Sequence, residues 1–324
     1  MLRARVAIER WPLREAFTIS RGDKREAVVV VVTCEEGPHL GRGECVPYAR
    51  YGETPEGVVD AVRAALDAGH AKDRETLRAS MAAGAARNAL DLALFDLECK
   101  RSGLRAHERL GVEARAVTTV FTLPIRSPEE TERRAREESS RPILKLKMGA
   151  EGDLARVEAA RRGAPDAELI VDANEGWTLG QLEALAPQLS GLGVVLIEQP
   201  LPAADDAALE GWNGPVPLCA DESFLGDVDP ATLAGRYGAI NVKLDKQGGL
   251  TACLDAVARA RSAGLEVMVG SMVATSLAVA PALLLAEDAR WLDVDGPLFM
   301  ARDREPGLRF EGSRVSPAPA ALWG

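Results

Sequence analysis

Ile143-Leu144-Lys145-Leu146-Lys147, then Leu169-Ile170-Val171-Asp172-Ala173, then Val194-Val195-Leu196-Ile197-Glu198: three short apolar runs, each with charge at or beside its end, begin 26 and 25 residues apart. The same texture extends both ways. Candidate strands Val117–Thr122, Pro217–Ala220, Ala239–Lys243, Glu266–Gly270 and Trp291–Val294 complete a set of eight, with starts spaced by 26, 26, 25, 23, 22, 27 and 25 residues. Helical patterns fill most of the gaps, so the spacing predicts parallel β/α repeats. Eight such units close most economically into a barrel. An open doubly wound sheet would carry a Gly-rich phosphate turn after its first strand, and none is present.

Ahead of this region the sequence reads as mixed α+β. Val28 to Thr33 is β-branched, Gly37-Pro38 makes a turn, and a second strand follows near Gly43 to Val46. Helical periodicity appears from Thr54 to Leu66 and from Ala82 to Lys100. The expected organisation is an α+β capping domain over residues 1–115, completed by the Pro/Gly-rich tail 301–324, and a barrel domain over 116–300.

The 324 residues carry 39 basic and 49 acidic groups, a formal charge of −10. That balance argues against nucleic acid or an anionic membrane surface as partner. No apolar stretch is long enough to span a bilayer, and no signal core opens the chain. Five scattered cysteines without a Cys-x-x-Cys pair argue against a disulfide scaffold or zinc ribbon and suit a reducing cytoplasm. Only seven of the basic residues are lysines, and four of these form two clusters, Lys145/Lys147 and Lys243/Lys246. The three histidines all lie in the first third, so acid–base chemistry in the barrel falls to lysines or carboxylates.

Barrel active sites lie at the C-terminal strand ends. There the sequence puts Lys145 and Lys147, then Asp172, Glu198, Asp221, Lys243, and finally Asp293 with Asp295; every central strand but the seventh ends in a charged residue or has one just beyond its end. Three carboxylates from consecutive strands repel one another unless a cation joins them, and an oxygen-only set favours Mg²⁺. The plainer alternative is that each acid caps the helix after it. Lys145 and Lys147 share a strand face, so one ammonium makes protonation of the other harder and prepares a neutral base. Lys243 lies roughly opposite. Two such lysines can move a proton between the faces of a metal-bound substrate; structural ion pairing with the acids is the alternative. The Asp293/Asp295 pair suits a cationic group such as a substrate ammonium, or a polar turn at Asp295-Gly296-Pro297. Arg21-Gly22-Asp23-Lys24-Arg25 reads as a basic turn that matters only if it folds over the mouth.

These motifs together resemble the enolase superfamily, in its muconate-lactonising-enzyme-like subgroup: Lys145-Leu146-Lys147, Asp172-Ala173-Asn174, Glu198-Gln199-Pro200, Asp221-Glu222-Ser223 and Asn241-Val242-Lys243 occur in family order. The likeness is greatest to the dipeptide epimerases of that subgroup, with support from Gly43–Tyr48, Gly84–Asp91, Lys243–Lys246 and the Asp293/Asp295 pair. It implies a (β/α)₇β barrel under an N-terminal α+β capping domain. One Mg²⁺ per active site is implied on Asp172, Glu198 and Asp221, with Lys147 and Lys243 as acid/base catalysts and Lys145 as electrostatic support. Substrate contacts are implied for Asp293 and Asp295 with the ammonium, for Thr122 with the glutamyl part, and for Arg21 or Lys24 with the carboxylates. The implied reaction interconverts L-Ala-L-Glu and L-Ala-D-Glu through an enediolate that Mg²⁺ stabilises, with a role in murein peptide metabolism. Sites of this superfamily set a Lys or His base beside one or two Mg²⁺ ions. A small-molecule dipeptide is thus the expected partner, with a homo-oligomer left open. Alternatives are epimerisation of another dipeptide, N-acylamino-acid racemisation, o-succinylbenzoate synthesis, a pyridoxal-phosphate racemase, and a non-catalytic member.

Overall fold

The computed structural model describes residues 3–19, 22–149 and 151–324. A three-stranded antiparallel sheet opens the chain: β1 (Arg3–Ile19), β2 (Gly22–Glu36) and β3 (His39–Cys45), in that order. Sequence patterning reveals only β2 and β3. β1 mixes charged and apolar residues and buries only Leu13 and Phe17, which at sequence level looks like a polar lead-in. Helices α1 (Pro55–Asp67), α2 (Arg74–Ser80), α3 (Ala85–Ser102) and α4 (Ala106–Leu110) follow. Thr54 caps α1 by accepting from the Gly57 N–H, with Pro55 at the first turn. α3 is buried over nearly its whole length and lies directly on the sheet. Gly43 is what allows it so close, because a Cβ there would collide with the carbonyl oxygen of Ala89.

After β4 (Val117–Thr118), eight strands form one parallel sheet in sequential order: β5 (Phe121–Leu123), β6 (Ile143–Lys147), β7 (Glu168–Asp172), β8 (Val194–Glu198), β9 (Leu218–Ala220), β10 (Ala239–Lys243), β11 (Glu266–Gly270) and β12 (Trp291–Asp293). Its two edges are joined by the Val120 N–H to the Leu292 carbonyl at 2.7 Å, which makes a nearly closed barrel. Helices α5 (Pro128–Glu137), α6 (Asp153–Gly163) and α7 (Leu179–Gly191) cover the first half, and α8 (Leu244–Gln247), α9 (Leu250–Ser262) and α10 (Ser276–Val279) the second. The connections after β8 and β9 hold only short 3₁₀ turns, Asp206–Leu209 and Pro230–Leu233.

One predicted strand is corrected. Val117–Thr122 is two strands, because the Thr119 hydroxyl bonds to the Val120 and Leu292 carbonyls and breaks the run. β4 pairs instead with the tail hairpin of β13 (Phe310–Glu311) and β14 (Arg314–Val315). The chain then ends against α3, where Trp323 stacks on Phe95 with centroids 5.6 Å apart and Arg42 donates to the Ala321 and Leu322 carbonyls. Among the described residues no helix is long and apolar enough to cross a membrane.

Successive side chains on a strand point to opposite faces, so residues two apart share the barrel interior. Val120, Ile170, Leu196, Cys219, Ala239, Met268 and Trp291 form a separate buried cluster, an apolar plug across the barrel. Two residues further along each strand lie Thr122, Asp172, Glu198, Asp221, Asn241, Gly270 and Asp293. The fold therefore stacks a polar layer on an apolar one.

Candidate active site

The polar layer is buried. Lys145, Asp172, Glu198, Asn241 and Lys246 are fully buried, and Asp221, Lys243 and Asp293 nearly so. Lys145 is its hub: its Nζ lies 2.6 Å from Glu198 Oε2, 2.7 Å from Asp293 Oδ2 and 3.0 Å from Asp172 Oδ2. Lys147 Nζ meets the same Asp172 oxygen at 2.6 Å. Across the mouth, Lys243 Nζ bonds Asp221 Oδ2 at 2.7 Å. Lys246, given no role from sequence, holds the other face of that carboxylate: its ammonium donates to Asp221 Oδ1, the Asp221 carbonyl and the Asn241 carbonyl, which uses all three donors.

None of the three acids caps a helix. Asp172 Oδ1 accepts from the Asn174 N–H inside a loop, and α7 beyond it is capped by Thr178. The pairing reading holds in part, since both lysine clusters are ion-paired. Burial works against every charge here, and the partners decide the outcome. Lys145 is raised well above the ordinary ammonium range because Asp172, Asp293 and Glu198 outweigh burial. Lys243 is raised because Asp221 and Glu198 do the same. Asp172 and Asp221 are lowered, the first by Lys145 and Lys147, the second by Lys243 and Lys246. Glu198 moves the other way: burial and repulsion from Asp172 raise it despite Lys145.

Asp172, Glu198 and Asp221 are an all-oxygen, buried, mutually repelling set, the donor chemistry of a hard divalent cation. The lysine ammonium groups stand among them. In this arrangement, among the described residues, no three His, Cys, Asp or Glu groups converge closely enough to hold a metal ion. Asn241 supports the set by donating to Glu198 Oε1 at 2.8 Å. Gln199, at φ 34°, accepts from the Asp221 and Ser223 N–H groups and so ties the β8 and β9 loops together.

The remaining predicted residues rim this layer. The Thr122 N–H donates to Asp295 Oδ2 at 2.6 Å, and its Oγ1 lies 3.5 Å from Asp293 Oδ1. Asp295 does open a 3₁₀ turn, Gly296–Phe299, yet its side chain takes no part in capping it. Burial, then the nearby Asp293, pushes the Asp295 carboxyl up to about 7. Among the described residues Asp295 has no ammonium or guanidinium within ion-pair distance. Lys24 lies on β2 opposite Phe17 rather than in a turn, with its ammonium 4.4 Å from the Tyr48 ring centroid. Arg21 lies outside the described residues. Lys24, Phe17, Tyr48 and Tyr51 from the N-terminal region face Lys147, Lys243, Thr122 and Asp295 across one cavity. The apolar and aromatic members leave no sequence signal of function. Asn241 does, lying two residues before Lys243 on one strand face.

A barrel capped in this way, with acids and lysines at one mouth, has the architecture of the enolase superfamily. Within it the chain belongs to the mandelate racemase/muconate lactonizing enzyme family: residues 1–111 match that family's N-terminal domain and residues 129–318 the enolase C-terminal domain-like family. It is 42% identical to the L-Ala-D/L-Glu epimerase of Escherichia coli K12 over 96% of this chain and 98% of that one. It is 40% identical to an N-acetyl-D-glutamate racemase of a Pseudoalteromonas species, over 91% and 95%. An enolase family member from Agrobacterium tumefaciens with homology to dipeptide epimerases, solved with bound sodium and L-Ala-L-Glu and an ordered loop, superposes over all of both chains with a TM-score of 0.97 at 46% identity. A dipeptide epimerase from Enterococcus faecalis, complexed with Mg and L-Leu-L-Tyr, gives 0.90 at 27% identity over 97% and 96%.

Proposed function

We propose that the chain is a Mg²⁺-dependent dipeptide epimerase acting on dipeptides of the L-Ala-Glu type, with Lys147 and Lys243 as its two acid/base groups. The observation that carries this reading is the placement of the two ammonium groups. They come from β6 and β10, on opposite sides of the barrel, and each bonds one of the clustered carboxylates.

Asp172, Glu198 and Asp221 would hold Mg²⁺, which when bound stabilises the negative charge that builds on a carboxylate as the adjacent α-proton leaves. One lysine, neutral, takes that proton at its Nζ, and the other, protonated, returns one to the opposite face. Lys145 sits behind both events as a fixed positive charge. Asp295, dry and lacking a cation partner among the described residues, is suited to take the free α-ammonium, while Asp293 already shares its charge with Lys145. Thr122 orients Asp295 through its backbone N–H. Arg21 or Lys24 at the mouth would meet the glutamyl carboxylates, and Phe17, Tyr48 and Tyr51 exclude water. The five cysteines are unpaired and buried, which fits a cytoplasmic enzyme of murein peptide metabolism.

A second reading, racemisation of an N-acylated glutamate, is favoured by the 40% identical N-acetyl-D-glutamate racemase. Such a substrate has no ammonium for Asp295. Proton NMR in D₂O with Mg²⁺ separates the two. Loss of the Glu α-proton of L-Ala-L-Glu with growth of the L,D diastereomer is the expected result, abolished by EDTA. Faster exchange on N-acetylglutamate would replace this reading with the second, and faster exchange on another Ala-X dipeptide would overturn the Glu preference.

A further inference from the structure

On the other side of β5 from the active site is a second cavity, about 340 Å³ in volume, walled by β1, β5, α5 and the 3₁₀ turn after β12. Thr122 is the only described residue that lines both. The size suits a small organic molecule. Its wall is unusual for a chain of charge −10: four arginines, Arg14, Arg126, Arg134 and Arg141, face it together with only two acids, Glu15 and Glu138.

Those two acids are already taken. Glu15 pairs with Arg134, and Glu138 with Arg141. Neither Arg14 nor Arg126 has a carboxylate within ion-pair distance among the described residues. Arg126 donates to the Thr18 hydroxyl and to the Ile125 and Ala16 carbonyls. Arg14 bonds the Met300 carbonyl at 2.8 Å through Nε alone, which leaves both terminal nitrogens of its guanidinium to the cavity. Arg141 commits Nε and Nη1 to Glu138 and Ser313 and lies 4.0 Å over the Phe121 ring. The cavity thus carries a local excess of two positive charges with uncommitted donors. Its remaining wall is apolar, from Phe121, Leu123, Pro124, Leu298 and Phe299, with the two phenyl rings stacked at 5.8 Å.

We propose that this cavity is a second binding site, separate from the substrate site, for a small carboxylate with an apolar body, its charge on the Arg14 and Arg141 guanidinium groups and its body on Phe121 and Phe299. The two terminal nitrogens of Arg14 can meet a carboxylate in two parallel hydrogen bonds, Arg141 can add one through its remaining Nη2, and a low-polarity wall beside them strengthens each bond. The inference stands on this cavity alone and goes beyond the epimerase reading.

The probe is 3-phenylpropionate, titrated calorimetrically into the Mg²⁺-loaded protein with and without saturating L-Ala-L-Glu at its epimer equilibrium. The expected result is one binding event whose affinity is the same in both titrations. Arg14→Met, at an exposed side chain with a single hydrogen bond, should weaken it about ten- to hundredfold while leaving epimerisation unchanged. Phe121→Leu should weaken it without loss of fold, checked by circular dichroism. Displacement of the probe by the dipeptide, or equal binding to the Arg14→Met protein, would overturn the proposal. So would inorganic phosphate binding as tightly as phenylpropionate, because the apolar wall would then contribute nothing. Loss of dipeptide turnover with probe binding intact would count against the epimerase reading alone.

Discussion

Gly270 lies so close to Lys243 that a Cβ on it would stand 3.0 Å from the lysine Cε, and 2.5 Å from Asn241 Oδ1. The two strands are paired in register at these residues. The end of β11 thus lacks a charged residue for a steric reason, since its share of the polar layer is filled by the side chains of β10. Gly270→Ala would leave the backbone unstrained but push Lys243 or Asn241 aside. A displacement of about 1 Å at a proton-transferring group costs on the order of 10²-fold in rate. We expect kcat to fall by about 10- to 100-fold, with KM nearly unchanged and thermal stability reduced by about 1–3 kcal/mol from overpacking. A variant with wild-type kcat would show that Lys243 needs no such room.

Asp295 offers the cleanest test of what the enzyme recognises. Asp293 is a poor choice, because replacing it also frees Lys145 from one of its three carboxylates. With the Asp295 carboxyl pushed up to about 7, the group is neutral below that pH and ionised above it. Binding of a dipeptide ammonium requires the ionised form, so kcat/KM for L-Ala-L-Glu should rise as pH climbs through about 7. Asp295→Asn should remove that limb of the profile and lower kcat/KM by about 10- to 100-fold, the scale of one charged hydrogen bond in a dry site. Activity on N-acetylglutamate should change little. Equal losses on both substrates would mean that Asp295 shapes the site without reading the ammonium.

How far the sequence anticipates this arrangement depends on whether a residue's role lies along its strand or across the barrel. The period of about 25 residues and the terminal charges are properties of the strands themselves, so β6 to β12 and the Lys, Asp and Glu set are readable from sequence. Val117–Thr122 reads as one strand because its break is made by a distant one, through the Thr119 bond to the Leu292 carbonyl. Lys24 reads as part of a turn, since nothing local tells that β2 begins at Gly22 and pairs with Phe17 and Thr18. Lys246 and Asn241 lie in recognisable motifs without evident roles, because what they do is to hold Asp221 and Glu198, 25 and 43 residues away. The aromatic lining of the mouth has no period at all. It comes from Phe17, Tyr48 and Tyr51, which only tertiary packing brings over the barrel.

The last two residues of the chain are part of the core. Trp323 is 1% exposed, stacks on Phe95 with planes 11° apart, and donates its indole N–H to the Leu92 carbonyl. The Gly324 N–H donates to Asp96 Oδ1, and the Arg105 guanidinium to the Gly324 carbonyl. Trp323→Ala should cost about 3–5 kcal/mol through the cavity it leaves. Chemical denaturation would read the loss directly. A cost below about 1 kcal/mol would mean that the tail docks without adding to the stability of α3.

Asp245 joins the barrel to the N-terminal sheet and helices at a price that depends on pH. It lies in α8, two residues after Lys243, and its Oδ1 accepts from the Val46 N–H at 3.0 Å and from Asn88 Nδ2 at 2.8 Å. Its carboxyl is pushed up to about 7, chiefly by burial and further by Glu53 and Glu44, with the two hydrogen bonds only partly offsetting them. Because the folded value lies above the unfolded one near 4, the group's contribution to stability is fully present below about pH 4. As pH rises from there to about 7 the unfolded chain ionises and the folded one resists, so stability drains away at about 1.4 kcal/mol per pH unit. Asp245→Asn keeps the Oδ1 acceptor and cannot ionise. The variant should therefore gain on the wild type as pH rises from 5 to 7, and the difference should level off above that. Urea denaturation of both proteins at pH 5, 6, 7 and 8 measures it, and a constant difference across the four would show that Asp245 is ionised in the folded protein throughout.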